Sequence, residues 1–401
     1  MKVALIAPQR RVEDSYRRSS EYLFRKSGAN TGNFAFVEAL WLHLAPHVEI
    51  FPWEASPDVL RERCDIIVMA CANQLGTHSN LEHLAIMFER AKLPILAIGL
   101  GAQAKELGAT IELTAGTRRW LDVVAAHAPS KAPNIGVRGE FSQEQVERSG
   151  VHGRAVVTGC PSNFINPNPS LATTLEERYR RDRIERVGVP AGLHHWVKLG
   201  PLERALADIV ESTSGVYIAQ SEIDMIRMAR GEWDEMDPAT FRNIRIYVRP
   251  SLSDDAFRLW CKRYATCFAD ATSWMESMRN FDFVVGPRFH GVMLAMQAGT
   301  PGGVIAHDSR TLEMCETMKI PVRMHHDMPA EFLPSDLPAL FEFQAAAYGR
   351  RRSELAGRYA DMLIAAGIEP SEGLLSLKPK AAEPAAPSDA TKHVPELAPA
   401  S

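Results

Sequence analysis

The chain has 401 residues, 46% hydrophobic and 23% charged, with a formal net charge of −4. That length exceeds one ordinary domain and suits two, each able to bury its own core. The near balance of charge excludes a globally basic nucleic-acid binder and an acidic disordered chain. The longest apolar runs, such as LPILAIGLGA at 93–102, fall far short of the roughly 20 residues that span a membrane. The opening MKVALIAPQRR lacks the anatomy of a signal peptide and reads as a first β-strand. Six cysteines (64, 71, 160, 261, 267 and 315) form no CxxC pair. Buried, reduced thiols of a cytoplasmic protein are the expectation.

In chain order, the strand candidates of the first half are VALIA (3–7), VEIF (48–51), DIIVMA (65–70), ILAIG (95–99), IGV (135–137) and AVVT (155–158). Amphipathic segments lie between them at 34–44, 81–91, 118–126 and 142–149. Strand followed by helix, repeated, predicts a parallel sheet covered on both faces. CPSNFINPNPS (160–170) interrupts the pattern and leads into an interdomain linker. The second half repeats the grammar with strands at RVGVP (186–190), VYIA (216–219), IRIYV (244–248), ATCFA (265–269), DFVVG (282–286) and GGVIA (302–306). Helical patterns separate these strands at 202–211, 254–263 and 273–279. After Pro321 the pattern is mainly helical, with a long amphipathic stretch over 339–366. The expected organisation is an α/β protein of two Rossmann-like, doubly wound domains, 1–172 and 173–377, facing a cleft. A Pro/Ala-rich segment, 378–401, has too little apolar surface to offset ordering entropy and reads as a disordered tail.

The richest stretch is DFVVGPRFHG (282–291). Gly286 and Pro287 end the strand, so Arg288 and His290 stand at the strand-to-helix turn, where open α/β sheets present ligand-binding groups. A fixed cation and a titratable imidazole suit an anionic substrate that needs a proton moved. HDSR (307–310) follows the next strand, so Asp308 and Arg310 face the same crevice. Asp308 also suits a helix N-cap. NTGNFAFVEAL (30–40) is a small-residue turn opening a helix; its amides favour an anion or a sugar hydroxyl, with capping by Asn30 or Thr31 the plainer role. The connection at 9–28 carries Arg10, Arg11, Arg17, Arg18, Arg25 and Lys26 interleaved with Glu13, Asp14 and Glu21. It suits a phosphate or a solvated helical insert. Arg138 follows the strand IGV, ahead of a Ser142-x-x-Gln145 capping box. GLGAQA (99–104) imitates a dinucleotide fingerprint, but it follows the fourth strand, and Gly108 spoils the helix that should come next. WDEMD (233–237) and SDD (253–255) read as solvated or capping acids, so no metal is expected. GxSxG, GxxxxGK[ST] and HExxH are absent.

These residues resemble the polysaccharide pyruvyl transferases. The resemblance rests on NTGNFAFVEAL, IGLGAQ (98–103), VRGEFSQEQVERSGV (137–151), VVTGCPS (156–162) and, above all, DFVVGPRFHGVMLAMQAGTPGGVIAHDSR (282–310). It covers roughly residues 1–325 and is thin between about 175 and 240. It implies a GT-B-like fold with the site between domains, phosphoenolpyruvate as donor and co-substrate, no further cofactor, and a product in which pyruvate bridges two sugar hydroxyls as a ketal. By the same resemblance His290 is catalytic or donor-binding, with Arg288, Arg138, Asp308 and Arg310 on the donor. Asn30, Gly32 and Asn33 fall to the acceptor, a glycan or lipid-linked glycan. The expected location is cytoplasmic, and the basic connection at 10–26 suits a phosphate-bearing acceptor or a peripheral contact at the inner face of the membrane. Two positions depart from the family pattern: Cys160 stands where an acid is usual, and Arg310 where a lysine is common. The alternatives are a sugar-nucleotide-dependent GT-B glycosyltransferase and a non-catalytic relative.

Overall fold

The computed structural model describes residues 1–44, 47–104, 108–181 and 183–379. Strands β1 (Val3–Ile6), β2 (Val48–Phe51), β3 (Ile66–Ala70), β4 (Ile95–Leu100), β5 (Ile135–Val137) and β6 (Ala155–Val157) form a six-stranded sheet in the order β2-β1-β3-β4-β5-β6. Strands β7 (Val187–Pro190), β8 (Val216–Ile218), β9 (Ala265–Thr266), β10 (Phe283–Gly286), β11 (Gly302–Ala306) and β12 (Val322–Met324) form a second, in the order β12-β11-β10-β7-β8-β9. Pairing within both is parallel, with Ile6 opposite Met69 and Gly286 opposite Val304. The central strands β1, β3, β4, β10 and β11 are buried along their whole length, as expected of parallel strands with helices on both faces. The fold is α/β, two Rossmann-like sheets in a GT-B-like arrangement, as the sequence pattern leads one to expect.

Strand order reverses once in each sheet, between β1 and β3 in the first and between β7 and β10 in the second. Ligands of open α/β sheets bind at the C-terminal strand ends beside such a reversal. The NTGN turn follows β1, and the Arg288–His290 turn follows β10. The NTGN turn meets the segment after β8: the Thr31 N–H donates to the Gln220 carbonyl at 2.7 Å, and Asn30 bridges to Ser221.

Three local readings of the sequence need correction. IRIYV (244–248) is the end of the helix Pro238–Val248, not a strand. Asp237 caps that helix through Thr240 N, Pro238 opens it, and Phe241, Ile244, Tyr247 and Val248 are buried at helical spacing. The segment after Pro321 begins with an edge strand, β12, paired with β11. The helix after β5 is Glu140–Arg148 with Gly139 as N-cap, so Ser142 and Gln145 form no capping box.

The basic connection is a strap that crosses to the second half. It carries the short helix Ser20–Lys26. Val12 N–H donates to Ala269 O at 2.9 Å, Ser20 N–H to Glu232 Oε2 at 3.0 Å, and Arg230 to the carbonyls of Ser15 and Arg18. The chain after β12 includes the long helix Ala345–Ala365, which returns to the first sheet. Its buried Arg352 donates to the carbonyls of Asn163 (2.9 Å), Asn168 (3.0 Å) and Asn166. That clamps 160–170, where Cys160 to Phe164 are buried. All six cysteines are free thiols, and only Cys267 is other than fully buried. No helix among the described residues is long and apolar enough to cross a membrane. The tail beyond Pro379 lies outside the described residues.

Candidate active site

A cavity of about 90 Å³ lies where the two sheets' strand ends face each other. Asn73 reaches it beyond β3, Arg138 directly after β5, and Gln220 just after β8. Arg288 and His290 come from the turn after β10; His307 and Arg310 come from the segment after β11. Asn30 and Asn33 line it from the NTGN turn. The helices Asn33–His43 and Phe289–Gln297 begin here with no side-chain cap. The aligned peptide dipoles at these two starts add to a field that favours an anion.

Three arginines dominate that field. Arg138 is 2% exposed; its Nε donates to Gly99 O at 2.8 Å and its Nη2 to Cys71 O at 3.4 Å. Burial lowers its pKa; Cys160 opposes the shift and Arg310 reinforces it. Arg288 lies 4.5 Å over the Trp196 ring and donates to Ser221 Oγ. Burial, then Arg310, push its pKa down to about 10. Arg310 donates to Asp308 Oδ2 at 3.3 Å. The Nε atoms of both Arg288 and Arg310 are buried without a partner among the described residues. Buried donors are normally satisfied, and an orphaned one marks a place for a ligand. Three guanidinium groups converging in a low dielectric repel one another unless an anion joins them.

Asp308 is the N-cap of the helix Ser309–Met318, its Oδ1 accepting from Thr311 N at 2.7 Å. Burial pushes its carboxyl up, but Arg310, His307 and the Thr311 hydrogen bonds outweigh this and hold it below the ordinary value. It therefore stays charged and steers Arg310.

His290 sits on the cavity wall, 8% exposed, with the Phe36 and Phe289 rings 5.6 and 5.3 Å away. Burial, then Arg138 and Arg310, hold its pKa well below the usual 6.5, so the imidazole is neutral at physiological pH. Its Nε2 lies 3.6 Å from Cys160 Sγ, which in turn lies 3.1 Å from Ser162 Oγ. Gly32 explains how the halves close up here. A Cβ on it would lie 2.9 Å from Gln220 Nε2, 3.0 Å from Asn30 Oδ1 and 3.3 Å from His290 Cβ. Asn30 Oδ1 accepts from Gly32 N at 2.9 Å, and Asn33 Nδ2 donates to Ser27 O at 2.9 Å. Both side chains thus hold their own turn as well as lining the cavity.

The structure brings together Arg138, Arg288, His290, Arg310, Asn30 and Asn33, with Gly32 and Asp308 immediately behind them. Sequence reasoning missed Asn73, Gln220, His307 and Trp196. Gln220 Oε1 is buried without a partner among the described residues, and His307, its ring 4.0 Å from Trp196, is pushed down to about 4 mainly by burial. The signal was available for Gln220 and His307, since each stands at the C-terminal end of a strand already recognised. A larger crevice, about 760 Å³, opens elsewhere between Glu140, Glu144, Glu316, Arg350 and Arg351. It is a separate crevice, with Glu140 two residues past Arg138 and Glu313 on the helix that carries Arg310. No group of three or more His, Cys, Asp or Glu side chains that could hold a metal occurs among the described residues.

The sequence model of the polysaccharide pyruvyl transferase family matches residues 10–309, from the strap to the helix that Asp308 caps. The chain belongs to the polysaccharide pyruvyl transferase family. Within the family match lie Arg138, Arg288 and His290; Arg310 follows one residue after it. No curated protein matches the chain. Among solved structures it is similar to Staphylococcus aureus MnaA in complex with UDP, at 11% identity and a TM-score of 0.46, covering 92% of this chain and 99% of that one. Similar too is the UDP-GlcNAc 2-epimerase of Neisseria meningitidis bound to UDP-GlcNAc, at 10% identity and a TM-score of 0.45, covering 91% and 100%. The Methanocaldococcus jannaschii UDP-GlcNAc 2-epimerase gives 10% identity and a TM-score of 0.41, covering 86% and 94%.

Proposed function

We propose that this pyruvyl transferase uses phosphoenolpyruvate to form a pyruvate ketal on a glycan of the exopolysaccharide type or its lipid-linked precursor. The single observation that carries the donor is the convergence of Arg138, Arg288 and Arg310 on one small cavity, with two buried Nε donors that have no partner among the described residues. A ligand with both a carboxylate and a phosphate matches that density of cations. Asn30, Asn33 and the turn at Gly32 stand on the acceptor side.

The neutral state of His290 favours proton transfer over phosphate binding. In the reaction so read, a sugar hydroxyl oxygen bonds to C2 of the donor while its proton passes through His290 to C3, which becomes a methyl group. The C2–O bond to phosphate then breaks, the electron pair leaving with phosphate. A second hydroxyl oxygen bonds to C2 and its proton passes through His290 to the departing phosphate. Two hydroxyl protons are lost, one is gained by C3 and one by phosphate, and the imidazole ends as it began. The arginines stabilise the carboxylate beside the developing positive centre and the leaving phosphate.

Arg17, Arg18, Arg25 and Lys26 on the strap support a phosphate-bearing acceptor held at the inner face of a membrane. Arg18, Arg25 and Lys26 lie 4.9, 5.8 and 5.7 Å from the Tyr22 ring. The test is incubation with phosphoenolpyruvate and a panel of glycans, scored by mass for pyruvate addition with loss of water. Thermal shift runs beside it, with phosphoenolpyruvate against UDP and GDP. Ligand at a hundred times its Kd stabilises by about 2.7 kcal/mol. A shift with a nucleotide and none with phosphoenolpyruvate would replace this reading with a sugar-nucleotide transferase.

A further inference from the structure

We infer that Cys160 is a positioning residue that fixes His290 in the Nε2–H tautomer, leaving the lone pair of Nδ1 as the base that serves the cavity. The inference rests on the proton-transferring role proposed above for His290.

The geometry starts from burial. Cys160 and Ser162 are both 0% exposed, so neither reaches the cavity or touches a ligand. Cys160 Sγ lies 3.6 Å from His290 Nε2, which turns that nitrogen away from the cavity. In a neutral imidazole one nitrogen carries the proton and the other accepts, and the partner of the first decides which is which. The contact between Sγ and Ser162 Oγ, at 3.1 Å, can run in either direction. In the inferred arrangement S–H points toward Ser162 and Sγ accepts from Nε2–H. The reverse polarity would put a proton on Nδ1 and remove the base from the cavity.

The surroundings keep this arrangement neutral. Arg138 after β5 and Arg310 on the helix Ser309–Met318 face His290 and oppose its protonation. The helix Asn33–His43 packs on it with the uncharged Phe36, and its own turn contributes Arg288. A carboxylate at 160 would pull the other way, stabilising an imidazolium through Nε2. Cys160 orients the ring through Sγ. This chain therefore has a base of low pKa held in place by a cysteine rather than a carboxylate.

The test uses the full-length protein with nitrogen-15 histidine. Long-range proton–nitrogen correlations should show His290 as the neutral Nε2–H tautomer from about pH 5 to about pH 8, with no substrate present. Cys160→Ser should retain that tautomer, and Cys160→Ala should lose it. In transfer assays Cys160→Asp should move the acidic limb of the kcat/KM profile up by roughly one to three pH units. The Nδ1–H tautomer in the wild-type protein, or an acidic limb unmoved in Cys160→Asp, overturns the inference. Because the spectrum needs neither donor nor acceptor, failure of the tautomer assignment and failure of the pyruvyl-transfer reading are separable.

Discussion

Glu313 of the second half accepts hydrogen bonds from both the backbone N–H (2.7 Å) and the hydroxyl (2.8 Å) of Ser142 in the first. The same hydroxyl accepts from Ala102 N at 2.9 Å. Ser142 N is one of the free N–H groups in the first turn of the helix Glu140–Arg148, so a carboxylate from the opposite half completes that helix end. This contact, with the NTGN turn against Gln220, fixes the separation of the two sets of strand ends.

Glu313→Ala should cost about 1–3 kcal/mol, the usual result of leaving buried donors unpaired. The pH dependence has a definite sign. Burial holds the Glu313 pKa above its ordinary 4.5, despite the Ser142 hydrogen bonds. A raised pKa in the folded state contributes stability below 4.5 that is lost as pH rises through the raised value. Denaturation measured against Glu313→Gln across that range should show the wild type losing ground as pH increases.

His290→Gln and His290→Ala should lower transfer by roughly a hundredfold or more, the typical share of a positioned acid–base group. Far-ultraviolet circular dichroism should be unchanged. Turnover at the wild-type rate would remove His290 from the mechanism.

Arg288→Met should abolish the thermal shift given by phosphoenolpyruvate while leaving the free protein's melting temperature within a few degrees of wild type, about the scale of an ordinary substitution. The lost Ser221 hydrogen bond and Trp196 contact are offset by relief of repulsion from Arg310. A large loss of stability with the ligand shift intact would assign Arg288 to the framework instead.

Gly32→Ala should act on rate more than on stability. The added Cβ meets the movable ends of Gln220 and Asn30, but also the Cβ of His290 at 3.3 Å. Displacing the imidazole by a few tenths of an ångström should reduce kcat, by up to about a hundredfold if the shift approaches 1 Å. Steady-state kinetics with a melting curve on the same sample separates the two effects.

Much of this was legible in the sequence because parallel sheets write themselves as short apolar runs ending at turns. The runs at 3–7, 65–70, 95–99, 282–286 and 302–306 all became strands, and the residues just past 137, 286 and 306 all reached the cavity. IRIYV misled because its β-branched residues hide a helical burial pattern that only Phe241 and Asp237 reveal. The edge strand β12 was missed because its three residues are only half buried. Contacts between the halves left no local trace. Neither Ser142's tie to Glu313 nor Cys160's approach to His290 follows from spacing, since each joins residues more than a hundred positions apart. The capping box at Ser142 was a sound local inference defeated by a distant carboxylate.

The return of the helix Ala345–Ala365 has a consequence for synthesis. Tyr359 packs 5.5 Å from the His43 ring and 6.0 Å from Phe164, and Ser371 N–H donates to His43 O at 3.0 Å. This late stretch of the chain is thus the covering of the first sheet to be made. Until it arrives, the early half waits with an apolar flank open, the condition in which nascent chains aggregate or recruit chaperones. Severing the chain between the two sheets would leave the amino-terminal piece without that cover, so the halves are born in order but completed together.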